Sequence, residues 1–518
     1  MTLADRVCSF IERRGRLLFA AWLLHAFLLH WFVLGFTSWD GLSYRVPPIV
    51  ELVQHGHFGT EKYDTWIYIG YRPFVELVHY PFLKLFGLRG VLMGFPFVVF
   101  PLCIIAIYLC VRELTGDKRA GVLGALAWMA IPLMNSQPFS GYVDFAVCAF
   151  LAFVIFSIVR LPRVGRTVSS FACLAIAVAQ FTLSRTQAVY IVAMLFPFIT
   201  YGLFCERSGL RIRMPRWREA LFAASAMWVG AIPAIAIQVS KYLRYGSPTY
   251  PYQFQVLGVK IGDGYSTLAV FRDGGLKEET VAEFTRATKG AWFWPSTWPL
   301  GFFDSRNMGG GFMLVVALLL LAVFLLRASR VERWLVLGCV LVSLIARDFW
   351  LPRYAYTLTL SISLIVGRGL METAKWQRAR GVFWVALGAV LLHLARPEFD
   401  IAMMPEMGPR LDVAGTTQGI ERAAGAIQPY PDVHGHFVII GYVANGFALP
   451  VFGRNLTNEV LHSLKWEALG ERCSGVTGAD RDPSILFIDD HDKTKDCHRE
   501  CAISEPSGRC LAYRLHWQ

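Results

Sequence analysis

Apolar runs long enough to cross a bilayer recur along this chain, and short clusters of arginine and lysine separate them. The first run covers residues 17–36, behind Arg6, Arg13, Arg14 and Arg16. It exceeds the roughly 7–15 residues of a signal-peptide core and lacks a small-residue cleavage site, so it reads as an uncleaved first helix. Later clusters fall at Arg112/Lys118/Arg119, Arg160/Arg163/Arg166, Arg207/Arg211/Arg213/Arg216/Arg218, Arg327/Arg330/Arg333 and Arg368/Lys375/Arg378/Arg380. Between successive clusters there is enough apolar sequence for two crossings of about 20 residues each. The hairpins turn at 136–144, near Arg185, within 241–310 and at 347–353, and a last helix at 382–395 exits. The pattern predicts about eleven spanning helices. Basic loops stay in the cytoplasm, so the N-terminus is expected inside and the C-terminus outside. Continuous runs such as 312–326 lack the alternation of barrel strands. Helices are the other architecture that satisfies the backbone within lipid.

Two outer loops are long. Residues 37–90 are polar and aromatic, with Trp66, Tyr68 and Tyr71, and include an amphipathic stretch at 74–86 suited to the membrane interface. Residues 241–311 carry Tyr250, Tyr252, Trp292, Trp294 and Trp298, which fit an aromatic belt at headgroup level or a sugar-stacking surface. After about residue 396 the long apolar runs stop. Short apolar segments at 436–441 and 484–489 read as buried strands, and 459–469 reads as an amphipathic helix. The expected fold is therefore an all-α polytopic membrane domain over 1–396 with a small extracytoplasmic α/β domain over 397–518. That domain holds Cys473, Cys497, Cys501 and Cys510. An oxidising compartment lets them pair as disulfides in any of three connectivities. A zinc site using Cys497, His498, Cys501 and His491 is the alternative, although the spacing matches no standard zinc pattern.

Composition agrees with membrane residence. Of 518 residues, 55% are hydrophobic and 17% charged, against about 25% charged in soluble domains. The net charge of +12 is gathered between apolar runs. No basic segment carries a nucleic-acid-binding motif, so nucleic acid is not an expected partner.

Ionisable groups gather at the outer side. Asp40 lies just past the first apolar run, Arg72 in the first outer loop, Asp144 at the top of the next hairpin and Arg185 at the one after. Arg347, Asp348 and Arg353 share a later turn. Charged side chains at membrane depth are costly and mark function by default. A guanidinium grips phosphate bidentately, which makes Arg72, Arg185, Arg347 and Arg353 candidate phosphate ligands. A carboxylate can take the proton of an attacking hydroxyl. Asp40 is the first candidate for that base, and Asp144 is placed to orient the acceptor, assist the base or hold an arginine. Helix capping by the aspartates and snorkelling by the arginines are the structural alternatives.

These residues resemble motifs of the GT-C superfamily of integral-membrane glycosyltransferases, in the branch of protein O-mannosyltransferases and the lipid A aminoarabinose transferase. The stretch Asp40-Gly41-Leu42-Ser43-Tyr44-Arg45-Val46-Pro47 resembles Asp-x-x-x-Tyr-His-x-Pro, with Arg45 in place of the histidine, and Gln54-His55-Gly56 follows. Arg72-Pro73-Phe74 is similar to Lys-Pro-Pro-Leu, and Leu85-Phe86-Gly87 fits Leu-Phe-Gly. Pro132 with Asp144, Arg185, and Arg353-Tyr354 fit later positions, and residues 449–453 and 455–460 resemble a C-terminal segment.

The resemblance implies a polyprenyl-phosphate-sugar-dependent glycosyltransferase in a bacterial inner membrane. It implies inverting transfer to a hydroxyl of a lipid, glycan or protein on the periplasmic side, with no metal or other cofactor expected. Asp40 and Asp144 would be catalytic. Arg72, Arg185, Arg347 and Arg353 would bind the donor phosphate, and Tyr44, Arg45 and Tyr354 would contact substrate. Two other classes compete with it. A flippase for lipid-linked saccharide needs mid-membrane charges and often repeats, and the sequence shows neither. A non-catalytic envelope-glycan-binding protein would tolerate loss of Asp40.

Overall fold

The computed structural model describes residues 45–58, 73–131, 141–185, 188–204, 217–247, 312–345, 356–376 and 379–402. It also describes residues 455–458, strand segments between 207 and 516, and scattered positions at 9–24, 134, 137–138 and 432. The chain divides into two compact units. One comprises Met1–His25, Val99–Pro138 and Val143–Pro405; the other comprises Ala26–Val98, Phe139–Tyr142 and Glu406–Gln518. The first outer loop thus groups with the C-terminal residues.

The second unit opens with helix α1 (Pro47–His55), which starts on two prolines and stops at Gly56. Proline suits a helix start because its missing N–H would be unpaired there anyway, and Gly56 takes the left-handed φ of 76° that closes the helix. Helix α2 (His79–Phe86) follows a 3₁₀ turn at Val75–Val78. It buries Leu83 and exposes Leu85 and Phe86, the two-faced character expected of 74–86. Gln54 on α1 donates to the carbonyls of Leu456 at 2.7 Å and Asn458 at 2.9 Å. Asp432 accepts from the backbone and side chain of Asn455 and from Thr457.

In the first unit, β1 (Arg207–Ser208) pairs with β2 (Arg211–Ile212) and β3 (Phe254–Val256) with β4 (Val259–Ile261), each antiparallel. In the second unit, β5 (His436–Ile440) runs parallel to β6 (Glu459–His462) and β7 (Ile485–Asp489), while β9 (Cys510–His516) is antiparallel to β7 and β8 (His498–Ser504). The sheet order is β6-β5-β7-β9-β8. The strands expected at 436–441 and 484–489 form. The helix expected at 459–469 does not begin as one: Glu459–His462 is strand, with Val460 and Leu461 paired to Phe437 and Val438. A pattern this short fits either state, and pairing to a neighbouring strand decides it. The remainder of that segment lies outside the described residues.

The first unit is a bundle of ten long helices among the described residues. They are α3 (Phe100–Thr115), α4 (Lys118–Met129), α5 (Asp144–Val164), α6 (Val168–Ser184) and α7 (Ala188–Phe204). Then come α8 (Trp217–Tyr245), α9 (Phe312–Arg327), α10 (Arg330–Ile345), α11 (Tyr356–Lys375) and α12 (Arg380–Ala402). Among the described residues, three helical stretches are both long and apolar enough to cross a bilayer: Val75–Thr115, Asp144–Val164 and Trp217–Leu243. Four more are apolar but shorter. Helix α8 runs on to Tyr245, into the start of the outer loop expected over 241–311.

Helix starts at one end carry their own caps. Asp117 accepts from the Arg119 N–H at 2.7 Å, and Thr167 forms a reciprocal capping box with Ser170. Ser329 and Glu332 do the same for α10. Each supplies partners to the unpaired N–H groups of a first turn. Arg368 finishes two other helices at this end, donating to the carbonyls of Thr115 at 3.2 Å and Arg327 at 2.8 Å. A cation there complements the negative ends of α3 and α9. Glu332 and Glu372 flank the guanidinium at 3.9 and 3.5 Å.

Helix α11 is buried along almost its whole length, from Tyr356 to Thr373, between α4, α9 and α10. Its polar residues survive there by bonding inward. Thr359, Ser363 and Thr373 donate to carbonyls of Tyr356, Thr359 and Gly369 at 2.7–2.9 Å. Small residues let α11 and α4 approach closely. A Cβ on Gly367 would lie 2.7 Å from the Ala120 carbonyl oxygen and 2.8 Å from Gly124 Cα, a backbone-to-backbone contact typical of membrane helices. Gly367→Val should therefore push the two helices apart at a cost of at least about 1–3 kcal/mol. Thermal unfolding of the purified protein checks this; an unchanged melting temperature would contradict the close contact.

Candidate active site

The capped starts of α4, α6 and α10 and the ends of α3, α9 and α11 share one end of the first unit. It carries Arg112, Lys118, Arg119, Arg160, Arg163, Arg166, Arg327, Arg330, Arg333, Arg368 and Lys375. This is the end that the positive-inside rule would assign to the cytoplasm. The opposite end gathers the starts of α5, α7 and α11 and the ends of α4 and α6, and two of the expected site residues meet there.

Asp144 is the first residue of α5 and is fully buried. It does not cap its own helix. Val143 holds the cap position without a side-chain bond, and Gln137 supplies the missing acceptor, taking the Phe145 N–H on Oε1 at 2.6 Å. The Gln137 amide also reaches Asp144 Oδ2 at 3.4 Å. The carboxylate is thereby left to face across the bundle.

Arg185 leaves α6 in an extended conformation, with φ −154° and ψ 142°. Its Nη2 forms an ion pair with Asp144 Oδ1, in which the arginine side chain is 8% exposed and the aspartate 0%. Burial rules out simple snorkelling to headgroups. Removing two charges from water costs several kcal/mol per ion, repaid only by close contact and added hydrogen bonds. Direct contact and the Gln137 amide supply both. The pair holds a guanidinium, with its five donors in a planar fork, at a defined place near the end opposite the basic clusters.

Tyr356, the first residue of α11, completes the neighbourhood. It is 1% exposed, packs edge-on against Phe181 of α6 with ring centroids 6.4 Å apart, and interacts electrostatically with both Arg185 and Asp144. One turn along α5, the Cys148 thiol accepts from Trp128 Nε1 at 3.2 Å and lies 3.3 Å from Thr359 Oγ1.

In the second unit, Arg45 is buried against Glu76, Nη1 to Oε1 at 2.9 Å, with side-chain exposures of 2% and 1%. The guanidinium that the sequence places near substrate thus has a structural partner as well. His79 is also buried there, its ring 4.4 Å from that of Phe95.

Asp40, Tyr44, Arg72, Arg347, Arg353 and Tyr354 lie outside the described residues, as do Cys473 and Cys497. Cys510 opens β9. Cys501, on β8, is disulfide-bonded, which removes it from the thiolate set of a zinc site. Sequence reasoning missed Gln137, Tyr356 and Glu76. Gln137 was within reach as a polar residue shortly before a helix-top aspartate; Tyr356 carried no signal apart from standing two residues after Tyr354.

Residues 73–229 match the sequence family described as dolichyl-phosphate-mannose-protein mannosyltransferase. That segment contains Asp144, Arg185 and Gln137. No curated protein sequence matches the chain significantly. Among solved structures, the chain is similar to ArnT from Cupriavidus metallidurans in the apo state, with a TM-score of 0.53 and 12% identity, covering 97% of this chain and 98% of that one. The same protein bound to undecaprenyl phosphate matches with a TM-score of 0.51, 12% identity and the same coverage. The chain thus shares the fold of ArnT, and the mannosyltransferase family match covers residues 73–229, less than a third of its length.

Proposed function

We propose that this chain is a GT-C glycosyltransferase that moves one sugar, with inversion, from a polyprenyl-phosphate carrier to a hydroxyl acceptor at the outer face of a bacterial inner membrane. The observation that carries this reading is the buried Asp144–Arg185 pair. It lies inside the mannosyltransferase segment, at the end of the bundle opposite the basic clusters. The ArnT structure with undecaprenyl phosphate supports a carrier of that class. In the proposed topology, eleven crossings put the N-terminus in the cytoplasm and the sheet-bearing C-terminal residues in the periplasm. The disulfide at Cys501 supports an oxidising compartment for that sheet.

Arg185, held by Asp144, binds the donor phosphate together with Arg72, Arg347 and Arg353, and their charge stabilises the leaving oxygen as the glycosidic bond breaks. Asp40 accepts the proton of the attacking hydroxyl. Phosphate leaves without needing a strong acid partner. Tyr44, Arg45 and Tyr354 line the approach of the substrates.

The test is transfer by the purified protein in lipid nanodiscs supplied with synthetic polyprenyl-phosphate sugars, with release of polyprenyl phosphate followed by mass spectrometry. Turnover with at least one such donor, together with a matching mass loss on envelope molecules when the protein is deleted from cells, is the expected result. Release without any glycosylated product, or transport of intact donor between leaflets, would overturn it.

A further inference from the structure

The Tyr356 hydroxyl is completely buried and has no hydrogen-bond partner among the described residues. A buried hydroxyl without a partner is costly to keep, and most are paired in native structures. The neighbouring hydroxyls on α11 bond to carbonyls of their own helix, so the exception is confined to the position beside Asp144 and Arg185. The ring is fixed by its edge-on contact with Phe181, on the helix that delivers Arg185. The ring therefore stands at the same end of the bundle as the carboxylate that Arg185 occupies, within reach of its charge.

This arrangement bears on a difficulty within the proposed mechanism. An arginine that turns toward a phosphate must loosen its grip on its own carboxylate. Asp144 is fully buried, and a buried carboxylate that loses its cation is strongly destabilised. Without a replacement partner, Arg185 would be trapped in the ion pair and donor binding would be weak.

We propose that Tyr356 is the stand-in donor. When Arg185 turns toward an anionic ligand, the Tyr356 hydroxyl donates to the Asp144 carboxylate and, with the Gln137 amide, keeps its charge hydrogen-bonded. Tyr356 is thus a positioning residue that acts through Asp144 and Arg185. No proton is transferred: the phenol donates a hydrogen bond and remains a phenol. This rests on the reading of Arg185 as a phosphate ligand, yet the exchange of partners can be measured in ligand-free protein.

The experiment is a thermal-unfolding cycle on the full-length protein. Tyr356→Phe removes only the hydroxyl. In the otherwise unchanged protein it should leave the melting temperature level or raise it, because an unpaired polar group disappears. In an Arg185→Ala background it should lower the melting temperature by about 2–4 °C, because Asp144 then loses its substitute donor. If Arg185→Ala does not accumulate, Arg185→Gln gives the same comparison. An equal shift in both backgrounds overturns the proposal.

A second arm measures binding of undecaprenyl phosphate in nanodiscs. Tyr356→Phe should weaken it about tenfold, an ordinary value for one buried hydrogen bond, and should have no effect once Asp144→Asn is present. A full loss that persists in Asp144→Asn would mean that the hydroxyl touches the ligand directly, and would overturn the positioning role. If the unaltered protein binds no polyprenyl phosphate, the donor reading fails, while the stability cycle still decides whether Tyr356 backs up Arg185.

Discussion

Arg185→Ala should slow sugar transfer by roughly 10²–10³-fold, the usual loss when one charged stabiliser of a developing anion is removed. The position is buried and its side chain is held by a carboxylate, so little else can reach the same place. Asp144→Asn should produce a comparable loss by another route. It keeps the shape and the Gln137 contact but leaves a buried guanidinium without its counter-ion, at a cost of about 3–5 kcal/mol. The double variant Asp144→Asn/Arg185→Gln separates the two effects. Neutralising both partners removes the uncompensated charge and should restore most of the stability, while transfer stays low because the cation proposed at position 185 is gone from the phosphate site. Melting temperature and initial transfer rate, measured on all three variants, check this. If the double variant regained both stability and activity, the pair would be a structural tie alone.

Much of the bundle could be read from the sequence because burial in lipid allows few solutions. An apolar run must become a helix, and a basic cluster must mark its cytoplasmic end. Those two rules placed Asp144 and Arg185 at the same end before any contact was known, and the structure pairs them. What the rules could not supply was which side chains touch. Gln137 and Tyr356 are ordinary residues by type, and only the packing of α11 against α4, α5 and α6 brings the tyrosine to the pair. The Arg45–Glu76 contact was hidden for a similar reason, since two residues 31 positions apart in sequence give no periodic signal. In the sheet, 436–440 and 485–489 were legible as dense apolar runs. The segment at 459–462 was ambiguous in pattern and was decided by pairing with β5. Strands β8 and β9 mix charged and apolar residues at their positions, and long-range pairing rather than local preference makes them strands.

Asp40→Asn is the substitution expected to cost the most. In the proposed reaction, phosphate leaves unaided once arginines neutralise it, so the remaining barrier is the poor nucleophilicity of a neutral hydroxyl. A positioned carboxylate that takes its proton in the transition state contributes about 10²–10⁴-fold, and an amide of the same size cannot accept that proton. Asp40→Asn should therefore lose this factor in kcat. It should still insert, fold and bind undecaprenyl phosphate, because the arginines proposed as phosphate ligands are untouched. Asp40→Glu should retain part of the rate, since the base is kept and only its reach changes. The split matters more than the loss itself. A fall in kcat with donor affinity preserved places Asp40 at the attacking hydroxyl. A fall in affinity with kcat preserved would assign it to holding the donor or its arginines, and normal turnover would put the base elsewhere in the chain. Single-turnover rates and equilibrium binding on the same nanodisc preparation distinguish these outcomes.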